Sequence, residues 1–427
     1  MEALYNALRK NPNIAAWKVN VNHRETCELF YVQKKVETVR ATETVDYTVT
    51  IYVDKGEARG QSTFAVYPYM GEKEIERLIE ENVFAASFAL NKFYEIPEPE
   101  PFEAPRPSGN LADKPFAETI KEIGEAIMKA NEVPNASLSA TEIFLNKNQK
   151  EVHNSKGVDV SFVTYECKIE TIPNYVHEKE EVEIYQPISF SLFNPEELTA
   201  KIAEAISVVK DRAEAIKMPE VGSIPVIIDD EESVAQFFYT IADDLNYQAA
   251  YTHSNLFEIG QNLQEGGDGD PLTIEFKPIV DGAINSSPID GDGVVLKPVT
   301  VIDAGVTKSR FGSFRFGFYL GEKHPTGQPA VLTAAPGTLD EKEIAKAPYL
   351  RCVRFSGIQT DLENNFFGGE VRLGYYFDGK KEIPVTGFSI QGDYKAAIKS
   401  MKLSKRKSTY DFYQGPKFIY IPDVKVH

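Results

Sequence analysis

Zinc hydrolysis needs two or three imidazoles converging on one ion and a carboxylate to take the water's proton, usually with two His and a Glu on one helix. The six histidines, His23, His153, His177, His253, His324 and His427, do not supply this, since no two lie closer than 24 residues. The one His-Glu dipeptide, His177-Glu178, runs on into Lys179-Glu180-Glu181-Val182 in a strand-rich region and offers no helical ligand pair. Cys27, Cys167 and Cys352 are odd in number, widely spaced and free of any CxxC pair. They read as reduced, half-buried residues rather than a disulfide framework or a metal site.

Carboxylates come next. Gly266-Gly267-Asp268-Gly269-Asp270 and Asp290-Gly291-Asp292-Gly293 alternate acid and glycine as calcium loops do, but both lack the closing glutamate of an EF-hand. Tight turns between strands are the reading adopted. Asp290 and Asp292 are also the pair that general acid/base chemistry would use. Asp243 and Asp244, adjacent on a helix, point in different directions and read as solvated. No nucleophile elbow, P-loop or dinucleotide fingerprint is present. Phe314, Phe316 and Phe318 alternate within Phe311 to Tyr319, which predicts a strand burying a Phe face.

These residues need a scaffold, and 427 residues with 42% apolar and 26% charged content give two or three well-cored domains. With 46 basic against 64 acidic residues, the formal charge of −18 argues against a nucleic-acid binder. The basic stretch Lys399 to Lys407, with Lys402, Lys405 and Arg406, reads as a solvated face. No apolar run approaches the roughly 18 residues of a membrane span, and Met1-Glu2-Ala3-Leu4-Tyr5 does not begin a signal peptide. The expectation is a cytoplasmic chain with no membrane partner.

The first 217 residues read as a duplication. Phe30-Tyr31-Val32 matches Ile143-Phe144-Leu145, and Val45-Asp46 matches Val158-Asp159, both at an offset of 113. Asn11-Pro12-Asn13 parallels Val133-Pro134-Asn135, and Ile75, Ile79 and Val83 parallel Leu198, Ile202 and Ile206. Each unit is expected to run helix, about three strands, helix, with ten more residues in the second ahead of its closing helix. Strands rest on alternation such as Thr48-Val49-Thr50-Ile51-Tyr52-Val53. Helices rest on spacing: Phe116, Ile120, Ile123 and Ile127 follow Asp113 as a possible N-cap, and Asn194-Pro195-Glu196-Glu197 supplies cap, first-turn proline and acids for the stripe Leu198, Ile202, Ile206 and Val209. Pro97, Pro99, Pro101, Pro105 and Pro107 make residues 96–110 an extended linker between the units.

After Met218 to Gly222 the chain changes to short apolar runs broken by Gly, Asp and Pro. Ile224 to Asp230 predicts a buried strand, followed by a helix over Glu231 to Leu245 that carries Val234, Phe237, Phe238, Ile241 and Leu245 on one side. The fold class is α+β: a duplicated N-terminal domain over 1–220, then a β-rich C-terminal domain over 221–427.

The sequence resembles the TldD/PmbA family, once called modulators of DNA gyrase and understood as peptidases of paired subunits. The likeness is carried by Val152 to Thr171, similar to the family's Asn-Ser-x-Gly turn at Asn154, Ser155 and Gly157. It is also carried by Asp290 to Gly321, similar to an Asp-x-x-Gly segment followed by a gate-like strand, by Pro325-Thr326-Gly327, and by Gly368 to Gly392, which looks like the terminal sheet. Of the glycine-rich C-terminal ending only Gly415-Pro416 is recognisable. The family's TldD type holds zinc through a His-Glu-x-x-x-His motif on the first helix of its second domain, and the TldE (PmbA) type lacks it. Glu231 to Leu245 has no histidine, so no catalytic residue is carried over.

The resemblance implies a TldE-like subunit that completes the peptide chamber of a TldD-type zinc peptidase. It would have no cofactor of its own, zinc being expected only in the partner. Asp290, Gly291, Asp292, Gly293, Asn154, Ser155 and Gly157 are the chamber or loop candidates. The alternatives are a homodimer that binds peptides or other ligands, and a metal-free enzyme using carboxylates.

Overall fold

A computed structural model describes residues 2–130, 135–177, 180–344 and 347–427. Val133 and Pro134 of the repeat, and Glu178 and Lys179 after His177, lie outside the described residues. The N-terminal half comprises α1 (Glu2–Lys10), β1 (Ala16–Val32), β2 (Lys35–Lys55), β3 (Ala58–Val66), α2 (Glu72–Ala86) and β4 (Leu90–Lys92), then α3 (Phe116–Ala130), β5 (Ala136–Asn154), β6 (Asp159–His177), β7 (Glu180–Glu183), β8 (Gln186–Phe190) and α4 (Pro195–Ala213). The strands form one sheet in the order β4-β3-β2-β1-β5-β6-β7, with β8 also on β6, so β1 and β5 meet antiparallel at its centre. Trp17, Val19, Val21, Val49 and Ile51 bury against α1 and α2 through Leu4, Leu8, Ile75 and Ile79. Ile143, Leu145, Cys167 and Ile169 bury against α3 and α4 through Ile120, Ile123, Ile127, Leu198, Ile202 and Ile206.

The 113-residue offset is not the spacing of the elements. The turn after β1 lies at Gln33-Lys34 and the turn after β5 at Ser155 to Gly157, a separation of about 122 residues that the alternating strand pattern does not encode. Leu29 instead pairs across the sheet with Ile143, and Phe30 with Glu142. An odd offset also lays the buried face of β1 on the wetter face of β5, since Leu29, Ile143 and Leu145 share one core. Alternating Val, Thr and Tyr match themselves at many shifts, whereas the turns fix register.

Helix signals translate directly. Asn194 caps α4, its side chain accepting from the Glu196 and Glu197 amides, with Pro195 in the first turn. Asp113 does not cap α3; its carboxylate pairs with Arg106 at 2.9 Å. From Phe93 to Pro115 the chain has neither helix nor strand, as five prolines in eleven residues require.

The C-terminal half contains β9 (Ile216–Lys217), β10 (Ser223–Ile228), α5 (Glu231–Asp243), α6 (Tyr247–Thr252), β11 (Ile274–Lys277), β12 (Val299–Asp303), β13 (Val306–Thr307), α7 (Phe314–Tyr319), β14 (Val331–Ala334) and α8 (Glu341–Ile344). It continues through β15 (Tyr349–Asp361), β16 (Phe366–Phe377), β17 (Glu382–Thr386), β18 (Phe388–Asp393), α9 (Tyr394–Ser400), β19 (Lys402–Leu403), β20 (Lys407–Tyr410), β21 (Tyr413–Pro416) and β22 (Ile419–Val426). Strands β15, β10, β22, β18 and β16 follow one another, and β15 also pairs with β16, so these five close into a ring. A second sheet runs β13-β12-β11-β14-β21-β20. Helix α5, capped by Asp230, buries Phe237 and Phe238 in the shared core, where Phe237 packs 4.5 Å from Tyr394 and Phe238 5.6 Å from Tyr413.

The Phe311 to Tyr319 strand is not formed. Gly312, at φ +140°, turns the chain, and α7 follows. Only Phe311 enters the core, 4.4 Å from Phe276. Residues two apart point in different directions on a helix, so Phe316 meets Tyr251 at 5.8 Å while Phe318 is exposed.

Candidate functional site

The two candidate turns, far apart in sequence, meet where the halves of the chain join. In the β5–β6 turn, Asn154 Oδ1 accepts from the Lys156 and Val158 amides at 2.9 and 3.1 Å, which shapes the loop as an Asx turn. Its Nδ2 donates to the Pro97 carbonyl at 2.8 Å, fixing the start of the proline segment. Ser155 Oγ accepts from the Trp17 amide at 3.1 Å and the Ser155 amide donates to the Trp17 carbonyl at 3.0 Å, which ties the turn to β1. Gly157 stands at φ +101°.

The Asp290–Gly293 turn packs on this hairpin. Asp290 is buried, and its oxygens accept from the Asp292, Val294 and Gln328 amides, each at 2.9 Å. Burial and the charge of Asp292 push its carboxyl up to about 6 against the pull of those amides. Lys18 Nζ meets Asp292 Oδ1 at 2.6 Å, and Asn20 Nδ2 donates to the Gly291 carbonyl at 3.1 Å. Gly293, at φ +92°, sits where a Cβ would come within 2.8 Å of Val158 Cγ1.

Above this junction lies a cavity of about 250 Å³. Its walls include Lys18, Tyr52, Tyr94, Asn154, Asp292 and Arg315. Tyr52 and Tyr94 meet edge to face with centroids 6.1 Å apart, and burial raises both phenols. The Arg315 guanidinium lies 4.5 Å from the Phe316 ring centroid and 5.7 Å from that of Tyr94. The cavity therefore offers aromatic faces, an ion pair and a guanidinium.

Of the seven candidates, Asn154 and Asp292 reach this cavity, while Asp290, Gly291, Gly293, Ser155 and Gly157 build the junction beneath it. Asp290 accepts from three amides and Asp292 pairs with Lys18. Lys18, Tyr94 and Arg315 gave no signal in sequence, being single members of an alternating strand, the segment just ahead of the linker and a misread helix.

Asp268 and Asp270 also serve packing: Asp270 Oδ2 accepts from the Leu403 amide at 2.7 Å, and Lys402 Nζ donates to the Asp268 carbonyl. Asp244, expected in solvent, is half-buried and accepts from the Leu256 and Phe257 amides, both at 2.8 Å, while burial raises its carboxyl. Cys167 and Cys352 are fully buried, which raises both thiols, and only Cys27 is half-buried.

Helix α5, at the start of the second half, carries no histidine. Its Thr240 Oγ1 is 2.7 Å from Thr360 Oγ1, and Asp243 accepts from Asn246 Nδ2 at 2.8 Å. Among the described residues no three His, Cys, Asp or Glu side chains converge as a metal site. The residues on this helix do not fit a zinc ion.

Residues 221–427 match the family profile described as PmbA/TldA metallopeptidase C-terminal domain. Residues 221–427 are thus a domain of the TldD/PmbA family. The fold of the chain is similar over its whole length to solved structures. TldE from Thermococcus kodakarensis superposes with a TM-score of 0.79 at 14% identity, covering 99% of both chains. The "modulator of a DNA gyrase" from Thermotoga maritima gives 0.76 at 15% identity, covering 100% of this chain and 99% of that one. The "modulator of DNA gyrase" from Bacteroides thetaiotaomicron gives 0.80 at 13% identity, covering 100% and 97%. No curated protein matches the chain by sequence. No helix among the described residues is long and apolar enough to cross a membrane.

Proposed function

We propose that this chain is a non-catalytic, TldE-like subunit of a TldD-type zinc peptidase that acts on unfolded peptides. The observation that carries the reading is the composition of α5: in a domain matching the metallopeptidase family, the helix after β10 has no imidazole, and the acids at its C-terminal end, Asp243 and Asp244, are held in local hydrogen bonds. The cavity over the domain junction contributes wall. In a shared chamber an extended chain is held by strand addition to open sheet edges, while zinc in the partner supplies the activated water.

The test measures peptide cleavage by this chain, by a TldD-type partner from the same cell, and by their mixture, with and without chelator. The expected result is no cleavage by this chain alone and chelator-sensitive cleavage by the mixture. Chelator-resistant cleavage by this chain alone overturns the reading in favour of a carboxylate enzyme. Tight peptide binding with no partner recovered from cell extract overturns it in favour of a binding homodimer.

A further inference from the structure

A second cleft, of about 390 Å³, opens between the β7–β8 segment and α4 on one side and the C-terminal half on the other. It brings together cations that the fold does not neutralise. Arg212, near the end of α4, spends Nη1 on the Glu183 carbonyl at 3.2 Å. Arg372, on β16, donates Nε to Ser356 Oγ at 2.8 Å. No carboxylate among the described residues pairs with either guanidinium. The two also repel: burial, then the charge of Arg372, lowers the affinity of Arg212 for its proton. Both guanidiniums line this one cleft, whose carboxylates Asp229, Asp230 and Glu231 are held by other cations.

Nearby cations behave differently. Lys201 lies 3.4 Å from Glu231, Lys417 lies 3.6 Å from Asp229, and Arg354 donates to Gln186 Oε1 at 2.5 Å and lies 3.8 Å from Asp230. Strand β8 and strand β20 are both terminal in their sheets and both line the cleft. An extended peptide can add to such an edge, and a guanidinium takes a carboxylate in a two-pronged pairing.

We infer that Arg212 and Arg372 form a subsite for a carboxylate of an extended peptide lying in this cleft. The inference rests on the peptide-handling function proposed above. The carboxylate comes from the peptide's C-terminus or from an acidic side chain, and the same two arginines serve either source.

The experiment uses the full chain and a fluorescein-labelled unfolded peptide in three forms: free acid, C-terminal amide, and amide ending in glutamate. Anisotropy at low salt gives each affinity. The free acid or the glutamate form is expected to bind about tenfold tighter than the plain amide, and whichever does so identifies the source. Arg372→Ala, a surface change that leaves the core intact, is expected to abolish that preference without altering amide binding, and Arg372→Lys to restore part of it. Equal affinities for all three forms, or a preference that survives Arg372→Ala, overturn the inference. Cleavage by the two-subunit mixture with equal affinities would sink this subsite alone. A carboxylate preference without cleavage by the mixture would sink the peptidase reading alone.

Discussion

Lys18 Nζ lies 2.6 Å from Asp292 Oδ1 although 274 residues separate them in the chain. The pair joins the central strand of the N-terminal sheet to a turn of the C-terminal half. Lys18→Ala or Asp292→Ala is expected to cost about 1–2 kcal/mol, as for a part-buried charged hydrogen bond. A double-mutant cycle by thermal unfolding should show coupling near 1 kcal/mol that shrinks in high salt. Additive single effects would show that the pair does not hold the junction.

Gly291 and Gly293 occupy the same turn and should differ in tolerance. Gly293→Ala places a Cβ 2.8 Å from Val158 Cγ1 at φ +92° and is expected to lower stability by about 1–3 kcal/mol. A Cβ at Gly291 meets nothing within 4 Å, so Gly291→Ala should remain within about 0.5 kcal/mol of the parent. Denaturant midpoints measure both.

Asp290 has a folded-state pKa raised to about 6 from 3.8. Between those values the folded chain binds more protons than the unfolded one, so this group makes stability fall as pH rises through the window. Its penalty is complete above pH 6 and absent below the unfolded pKa. Asp290→Asn should remove that component, so the stability difference between parent and variant changes between about pH 4 and 6 and is flat above. A difference that is flat across the window would show that the three amides hold Asp290 ionised throughout.

The absence of histidine from α5 predicts that the purified chain carries no stoichiometric zinc. Elemental analysis checks this. One tightly held zinc per chain would place a metal centre on this subunit and overturn the proposed division of labour.

Local chemistry carried far in this protein. The four-residue signal Asn194 to Glu197 determines where α4 begins, because a cap acts through the amides beside it. The Val234, Phe237, Phe238, Ile241 spacing determines the buried face of α5, and five clustered prolines determine an extended segment. The turn at Asn154 to Gly157 came from the family resemblance and not from local chemistry, and the structure forms it as an Asx turn with Gly157 at positive φ. Alternation in β1 and β5, in contrast, determines strand but not register: the same pattern fits several shifts, and only the hairpin turns and the central pairing decide that Leu29 faces Ile143. Three alternating phenylalanines read as strand until Gly312 turns the chain and Pro325 packs against Gly317. The junction of Lys18, Asp290 and Asp292, the cavity with Arg315, and the unpaired Arg212 and Arg372 are long-range meetings. No local periodicity encodes them, because which charges are left without partners is decided only when distant segments pack.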